Sequence, residues 1–221
     1  MADQRAKLTW IEDKVPVSER FDDPYFSLQN GLEETRHVFL AGNDLPARFA
    51  PGFRIAELGF GTGLNMLTAW SEWERSGQSG PLHFTSFEAF PMTPTDMGRA
   101  LAAFPELAEW SHRFLAVWQG GACDLGTLRL EVIEGDARQT LPAWAGQADA
   151  WFLDGFSPAK NPELWESDLL HEVANHTAPS GTAATYTAAG FVRRGLEEAG
   201  FTVTRSPGFG RKRHMTRAIK A

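Results

Sequence analysis

The chain has 221 residues, of which 43% are hydrophobic, and its 28 Asp and Glu outnumber its 21 Lys and Arg, giving a net charge of −7. This composition suits one well-filled domain, excludes a disordered polyelectrolyte, and contains no apolar run near the roughly 20 residues that cross a bilayer. A single cysteine, Cys123, excludes an internal disulfide, so we expect a cytoplasmic protein without a membrane partner.

An alternation of strand-like and helix-like segments begins at residue 51, whereas residues 1–50 look irregular and form a separate N-terminal extension. The predicted strands are residues 53–58, 83–87, 128–133, 148–153, 183–186, 201–204 and 215–219. The predicted helices are residues 64–73, 136–144, 162–174 and 188–199, while residues 105–127 look like an insertion without an assigned structure. This alternation predicts an α/β fold over residues 51–221, with a seven-stranded, mostly parallel sheet and helices on both faces.

The first predicted strand ends in a glycine-rich turn that is suited to ligand binding. The turn runs Glu-Leu-Gly-Phe-Gly-Thr-Gly from Glu57 to Gly63, and a helical pattern follows it. Glycines let the backbone approach a ligand closely, and the start of a helix offers unpaired N–H donors. Because dinucleotide-binding folds use a related turn, this feature alone leaves the cofactor open.

Acidic residues at the ends of the next two strands narrow the choice of cofactor. Glu88 ends the second strand, where a carboxylate can accept hydrogen bonds from both ribose hydroxyls, and Asp136 follows the third, near the position of an adenine amino group. The G-x-G-x-G spacing also differs from the G-x-G-x-x-G of dinucleotide binders. Together these features favour S-adenosylmethionine over a dinucleotide, although Asp136 alone equally suits a helix N-cap.

The fourth predicted strand leads into the most informative segment, which runs from Asp154 to Trp165 as Asp-Gly-Phe-Ser-Pro-Ala-Lys-Asn-Pro-Glu-Leu-Trp. In an open parallel sheet this strand end lies beside the glycine turn, and Pro158 and Pro162 restrict the loop. A carboxylate there can accept an N–H hydrogen bond from an amine, orient its lone pair and receive or relay its proton. We therefore expect Asp154 to be catalytic in an amine methylation, with the proton finally passing to water.

The C-terminal region is basic although the whole chain is acidic. Residues 191–221 contain eight Lys or Arg and two Glu, a balance of +6, which leaves −13 for residues 1–190. Such a region is either a phosphate-contacting face or a solvated surface.

Patterns typical of metal sites and hydrolases do not occur in the sequence. His171 and His176 are five residues apart, which places them on different faces of a helix. No serine lies in a nucleophile-elbow pattern. We expect no metal.

Several segments together resemble one known family. They are residues 57–65, 87–91, 135–138 and 154–165, with residues 21–27, 31–35 and 38–40 before them and residues 208–215 after them. Over nearly its whole length the chain resembles the methyltransferase domain of the bifunctional tRNA wobble-uridine modification proteins of the MnmC family, which the stand-alone MnmD-type enzymes share. The D-G-F-x-P-x-K-N-P-x-x-W segment is far more specific than the glycine turn.

The resemblance implies a class I, Rossmann-like methyltransferase that uses S-adenosyl-L-methionine to convert wobble 5-aminomethyl-2-thiouridine of tRNA into 5-methylaminomethyl-2-thiouridine. The partner is then a tRNA anticodon loop, whose bases can be splayed out and stacked on aromatic side chains. In this family a flavin-dependent oxidase domain, fused or separate, generates the amine, and no flavin is expected in this chain. A small-molecule amine as substrate, or a non-catalytic nucleotide-binding module, remains an alternative.

The resemblance also implies roles for individual residues. Asp154 is expected to contact the substrate amine, and the N-terminal extension is expected to cover the site. The residues expected around the cofactor are Glu57, Gly59, Phe60, Gly61, Thr62, Asn65, Glu88, Ala89, Asp136, Ala137 and Asp154. The residues expected at the substrate are Tyr25, Glu34, Phe156, Lys160 and Trp165, with Arg211, Lys212 and Arg213 as phosphate contacts.

Overall fold

The computed structural model describes residues 5–27 and 30–221, so residues 1–4 and 28–29 of the N-terminal extension lie outside the described residues. The strands are β1 (Leu8–Ile11), β2 (Val15–Ser18), β3 (Asp23–Pro24), β4 (Arg54–Leu58), β5 (Leu82–Glu88), β6 (Ala122–Asp124), β7 (Leu128–Glu134), β8 (Ala148–Leu153), β9 (Thr177–Thr185), β10 (Phe201–Pro207) and β11 (His214–Lys220). The α-helices are α1 (Gly31–Thr35), α2 (Leu64–Arg75), α3 (Pro94–Leu101), α4 (Ala108–Leu115), α5 (Ala137–Ala143), α6 (Ser167–Asn175) and α7 (Gly190–Glu198).

The central sheet is mostly parallel, as the sequence predicts, and all seven predicted strands are present. Its order is β10-β11-β9-β8-β4-β5-β7-β6. The five strands β9, β8, β4, β5 and β7 pair in parallel, whereas β10, β11 and β6 pair antiparallel. The prediction of seven strands is one short, because β6 is a three-residue edge strand without a recognisable apolar pattern.

The order of the strands reverses at β4, which has β5 on one side and β8 on the other. Ligands of open parallel sheets bind outside the carboxyl ends of the strands at such a reversal. β4 and β8 end directly before Gly59 and Asp154, and the N–H of Asp154 donates to the carbonyl of Leu58 at 3.2 Å. The topology therefore brings the glycine turn and Asp154 together.

Helices cover both faces of the sheet, and neighbouring residues of β8 show this division. Phe152 belongs to the core cluster that contains Trp70 of α2 and Phe84 of β5. Trp151 belongs to the cluster on the other face, with Leu170 of α6. Side chains of a strand alternate between faces, so a strand that is apolar on both faces requires cover on both.

Element boundaries differ from the prediction where proline and polar residues interrupt the pattern. The predicted helix at 162–174 is divided into a 3-10 turn, Pro162–Trp165, and α6. β9 begins at Thr177 and not at residue 183, because Pro179 and Gly181 interrupt the apolar pattern by which the first half of the strand would be predicted. No helix in the described ranges is long and apolar enough to span a bilayer.

The expectation of an irregular N-terminal segment is wrong, because much of residues 5–27 and 30–43 is regular. β1, β2 and β3 form a small antiparallel sheet. The side chain of Asn30 caps α1 by accepting from the N–H of Glu33 at 3.1 Å. Strands of two to four residues and a five-residue helix are too short for periodicity to reveal them.

Candidate active site

A cavity of about 650 Å³ lies at the carboxyl ends of the parallel strands. The volume is within the range of small-molecule sites. The structure brings to its lining most of the residues that the sequence singled out: Tyr25, Glu34, Gly59, Phe60, Gly61, Thr62, Asn65, Glu88, Ala89, Asp136, Ala137, Asp154, Phe156 and Lys212. Five of the expected residues do not line it: Glu57, Lys160, Trp165, Arg211 and Arg213.

The glycine turn is held against the segment that contains Asp154. Gly59 has φ +90°, and a Cβ on this residue would overlap the carbonyl oxygen of Asp154. Only glycine combines this conformation with so close an approach. The N–H of Gly61 donates to Glu88 Oε2 at 2.9 Å. The turn therefore connects the ends of three strands.

Glu88 supports two loops that border the cavity, those that follow β4 and β5. Its Oε2 atom accepts from Gly61, and its Oε1 atom accepts from the N–H of Phe90 at 2.7 Å. Burial raises the pKa of Glu88, while these backbone N–H groups act in the opposite direction. Each carboxylate oxygen has a second lone pair, so Glu88 can still accept hydrogen bonds from ribose hydroxyls.

Asn65 connects the carboxyl groups of Glu57 and Asp154 next to the turn. Its Nδ2 atom donates to Glu57 Oε1 at 2.9 Å and to Asp154 Oδ2 at 2.6 Å, and its Oδ1 atom accepts from Thr35 Oγ1 at 2.8 Å. All its main hydrogen-bonding capacity is therefore used within the chain. Asn65 holds the carboxyl group of Asp154 in one orientation.

The expectation that Glu57 contacts the cofactor is corrected by its burial. Glu57 has no exposed surface and does not line the cavity; its Oε2 atom accepts from Ser86 Oγ at 2.7 Å. Burial raises the pKa of Glu57 well above its ordinary value. Glu57 therefore holds the Asn65 side chain by a hydrogen bond and does not itself reach the cavity.

Asp154 lines the cavity and has a strongly raised pKa. Burial raises its pKa from the ordinary 3.8 to about 7. The hydrogen bond from Asn65 and the charge of Lys212 lower this pKa, and the charge of Glu34 raises it. At neutral pH the carboxyl group is divided between its two forms, which suits a group that exchanges a proton with a ligand.

This raised pKa predicts that Asp154 stabilises the ligand-free fold less as the pH rises. Between about pH 4 and pH 7 folded Asp154 binds a proton that the unfolded chain has released, so the contribution of Asp154 to the free energy of unfolding falls across this window. Urea unfolding measured at several pH values between about 4 and 8 tests this. In Asp154→Asn the decline should be smaller; an unchanged pH dependence contradicts the raised pKa.

Asp136 is the N-cap of α5, one of the two roles that the sequence left open. Its side chain caps α5 by accepting from the N–H of Arg138 at 3.0 Å, and its Oδ2 atom accepts from the Arg138 guanidinium at 2.7 Å. These hydrogen bonds lower the pKa of Asp136. It also lines the cavity with Ala137 and keeps its charge there.

Aromatic side chains form one wall of the cavity. Phe156 stacks on Phe21 with ring centroids 4.8 Å apart and meets Tyr25 edge-on at 4.9 Å. Trp165 instead is buried beneath the loop, where its Nε1 donates to the carbonyl of Phe156 at 2.9 Å. Its burial contradicts the expected stacking contact with substrate, because the ring supports the loop.

The N-terminal segment is attached to the loop that follows Asp154. The ammonium of Lys160 contacts the carbonyl of Asp22 and lies 3.6 Å from Asp23 Oδ1. Asp23 also accepts from the N–H of Ser157 at 2.9 Å. In this arrangement Lys160 connects two chain segments outside the cavity, which differs from the expected substrate contact.

Sequence reasoning missed Tyr186, which lines the cavity at the end of β9. Its hydroxyl donates to the carbonyl of Gly155 at 2.7 Å. Burial, followed by the charges of Asp154, Asp23 and Glu34, raises its pKa above the ordinary 10.0. Residues at the carboxyl ends of parallel strands lie at the ligand-binding edge of the sheet, which is how Glu88 and Asp154 were identified. The same reasoning applies to Tyr186, because the predicted fifth strand, residues 183–186, ends on it.

The described residues contain no group of three or more His, Cys, Asp or Glu that could hold a metal ion. A family model described as S-adenosyl-L-methionine-dependent methyltransferase matches residues 105–221, which is more than half of the chain. The chain belongs to this family. Its cofactor is therefore S-adenosyl-L-methionine and not a dinucleotide, as the acids at the strand ends predict.

Relatives with assigned names support the resemblance that the sequence shows. The chain is 50% identical over 225 residues to the tRNA 5-methylaminomethyl-2-thiouridine biosynthesis bifunctional protein MnmC of Pseudomonas aeruginosa and 49% identical to that of Pseudomonas paraeruginosa. Each match covers 96% of this chain and 34% of the relative, so the chain spans about a third of the length of these proteins.

Solved structures agree with the fold. The crystal structure of MnmC2 from Aquifex aeolicus matches with a TM-score of 0.75 and 28% identity, over 96% of this chain and 70% of that one. A precorrin-6y C5,15-methyltransferase from Geobacter metallireducens matches with a TM-score of 0.54 at 12% identity, over 94% of each chain, which shows the fold alone.

The residues of the cavity fit S-adenosyl-L-methionine by volume and by chemistry. Glu88 offers acceptors for ribose hydroxyls, and the apolar lining beside it can hold an adenine ring. The glycine turn lets the cofactor approach the backbone at the start of α2. We propose that Gly59, Gly61, Thr62, Glu88, Ala89, Asp136 and Ala137 hold the cofactor.

Proposed function

We propose that this domain methylates the aminomethyl nitrogen of wobble 5-aminomethyl-2-thiouridine in tRNA and produces 5-methylaminomethyl-2-thiouridine. The observation that carries the proposal is Asp154, which has a pKa of about 7 and lines the cavity of a methyltransferase, in a chain 50% identical to part of a protein named for this modification. An amine nucleophile needs an acceptor for its N–H, and Asp154 provides one.

The residues of the site have separate roles in such a reaction. When bound, S-adenosyl-L-methionine supplies an electrophilic methyl group on its sulfonium. Asp154 in its ionised form accepts an N–H of the amine and directs the nitrogen lone pair, and it can hold a proton that leaves the amine. Asn65 keeps the Asp154 carboxyl in place, and Phe21 and Phe156 restrict water.

The test is transfer of a labelled methyl group from S-adenosyl-L-methionine to tRNA that carries the aminomethyl group. Matched tRNA without this group is the negative control. Transfer only to the aminomethylated tRNA supports the proposal. Transfer to a free amine, unaffected by competing tRNA, would favour a small-molecule substrate instead.

The basic C-terminal region supports tRNA as the partner and yields a further prediction. Arg211 and Arg213 are exposed beside the cavity residue Lys212. Replacing both arginines with serine should weaken tRNA binding and reduce the slope of log affinity against log salt by about 1–2, because about two phosphate contacts are lost.

The control for this prediction changes two arginines at the opposite end of the sheet. Arg75 ends α2, and Arg129 lies near the start of β7. The double serine variant there should bind tRNA with an unchanged salt slope. Equal slopes for the wild type and the Arg211/Arg213 variant mean that this region is only a solvated surface.

The length of the relatives suggests a source for the amine. Because this chain matches 34% of each bifunctional protein, we propose that a flavin-dependent oxidase domain, fused or separate, produces the aminomethyl group. No flavin binding is expected in this chain, and addition of flavin should leave methyl transfer unchanged.

A further inference from the structure

Lys212 occupies a different environment from the two arginines beside it. Its Nζ atom lies 2.7 Å from Glu34 Oε1 and 4.0 Å from the centroid of the Tyr186 ring. All three side chains line the cavity that Asp154 lines, whereas Arg211 and Arg213 do not. The chain thus places one of its own primary ammonium groups in the cavity of the active site.

The groups around the Lys212 ammonium form a recognisable type of binding site. A carboxylate combined with an aromatic face binds alkylammonium ions by ion pairing and by cation–π attraction. The Glu34 side chain is 13% exposed, so water screens its charge only in part. The Tyr186 ring is fixed by the hydrogen bond from its hydroxyl to the carbonyl of Gly155.

The charges of the cavity also favour exchange of Lys212 for another cation. Glu34 is close enough to Asp154 for its negative charge to raise the pKa of Asp154, and the positive charge of Lys212 lowers this pKa. If Lys212 leaves, Glu34 loses its ion pair and remains near a second carboxyl group. A ligand that brings a positive charge restores the balance.

We propose that Glu34 and Tyr186 form a subsite for a primary alkylammonium group, and that Lys212 fills this subsite until the substrate amine replaces it. The inference rests on the proposed function, because a protonated aminomethyl group and a lysine side chain end in the same R–CH2–NH3⁺ group. The subsite captures the charged amine beside Asp154, and the polyanionic backbone of tRNA attracts the Arg211–Arg213 turn that carries Lys212.

Lys212 in this role is an internal competitor, and the consequence can be measured. If Lys212 fills the subsite about nine-tenths of the time, its removal should raise the apparent affinity for a free alkylammonium about tenfold. The probe is n-butylammonium, which carries the ammonium group but no nucleoside. Its dissociation constant can be measured by NMR titration of the wild type, Lys212→Met and the neighbouring control Arg211→Met.

The proposal expects tighter binding of n-butylammonium to Lys212→Met alone. Lys212→Arg keeps a cation in the subsite and should bind the probe as weakly as the wild type does. Adding Glu34→Gln or Tyr186→Leu to Lys212→Met should remove the gain. Thermal unfolding of each variant identifies any that fail to fold. If one of the two double variants fails to fold, the other still tests whether the gain depends on the subsite.

The outcomes separate this inference from the proposed function. If Lys212→Met binds n-butylammonium no tighter than Arg211→Met does, the subsite is refuted, whether or not tRNA is methylated. If the gain appears and depends on Glu34 or Tyr186, the subsite stands even when aminomethylated tRNA accepts no methyl group, and the amine substrate is then a different one.

Discussion

Replacing Asp154 with asparagine is expected to lower the rate of methyl transfer about 100-fold or more, because a neutral amide can neither take a proton from the amine nor attract its N–H as a carboxylate does. The substitution preserves the size of the side chain. In the wild type Asn65 donates to Asp154 Oδ2 at 2.6 Å, and the amide oxygen of the asparagine can accept the same hydrogen bond. The fold and the cavity should therefore remain intact. The measurement is single-turnover transfer to aminomethylated tRNA.

Two controls separate chemistry from binding in this experiment. The dissociation constant of S-adenosylhomocysteine, measured by calorimetry, should change only a few-fold in Asp154→Asn, because Gly59 and Glu88 keep their positions. Asp168→Asn makes the same change at an exposed position of α6 outside the cavity and should transfer at the wild-type rate. Near-normal turnover of Asp154→Asn removes the residue from the mechanism.

The sheet and its ligand edge were predictable because they depend on patterns within single segments. Apolar runs that end in glycine or an acid mark the carboxyl ends of parallel strands, and the topology then brings these ends together. Gly59, Glu88 and Asp154 satisfy this rule, and all three line one cavity in the structure. Nothing beyond local sequence was needed for them.

The remaining features depend on contacts between distant parts of the chain, which a local pattern cannot reveal. Lys212 pairs with Glu34 across 178 residues, and Lys160 reaches Asp22 across 138. A basic tripeptide looks the same in sequence whether its lysine contacts only solvent or also lines a cavity, as Lys212 does. Similarly, Glu57 shares the strand-end pattern of the acids that line the cavity, and only its complete burial reveals a supporting role.

Replacing Gly59 with alanine is expected to damage the site severely, because the added Cβ would overlap the Asp154 carbonyl oxygen and because alanine disfavours a φ of +90°. The positive φ costs about 1–2 kcal/mol, and relief of a backbone overlap adds about 1–3 kcal/mol, which together lower Tm by roughly 5–15 °C. Displacing Asp154 from the turn should also lower the rate of methyl transfer about 100-fold.

Gly52→Ala is the matched control, since Gly52 has φ +79° but no atom within 4 Å of an added Cβ. It carries the same conformational strain without the overlap, so it should lower Tm by only about 3–6 °C and leave methyl transfer unchanged. The difference between the two variants isolates the contact between the glycine turn and Asp154. If both variants lose the same stability and Gly59→Ala keeps its transfer rate, that contact does not hold the site together.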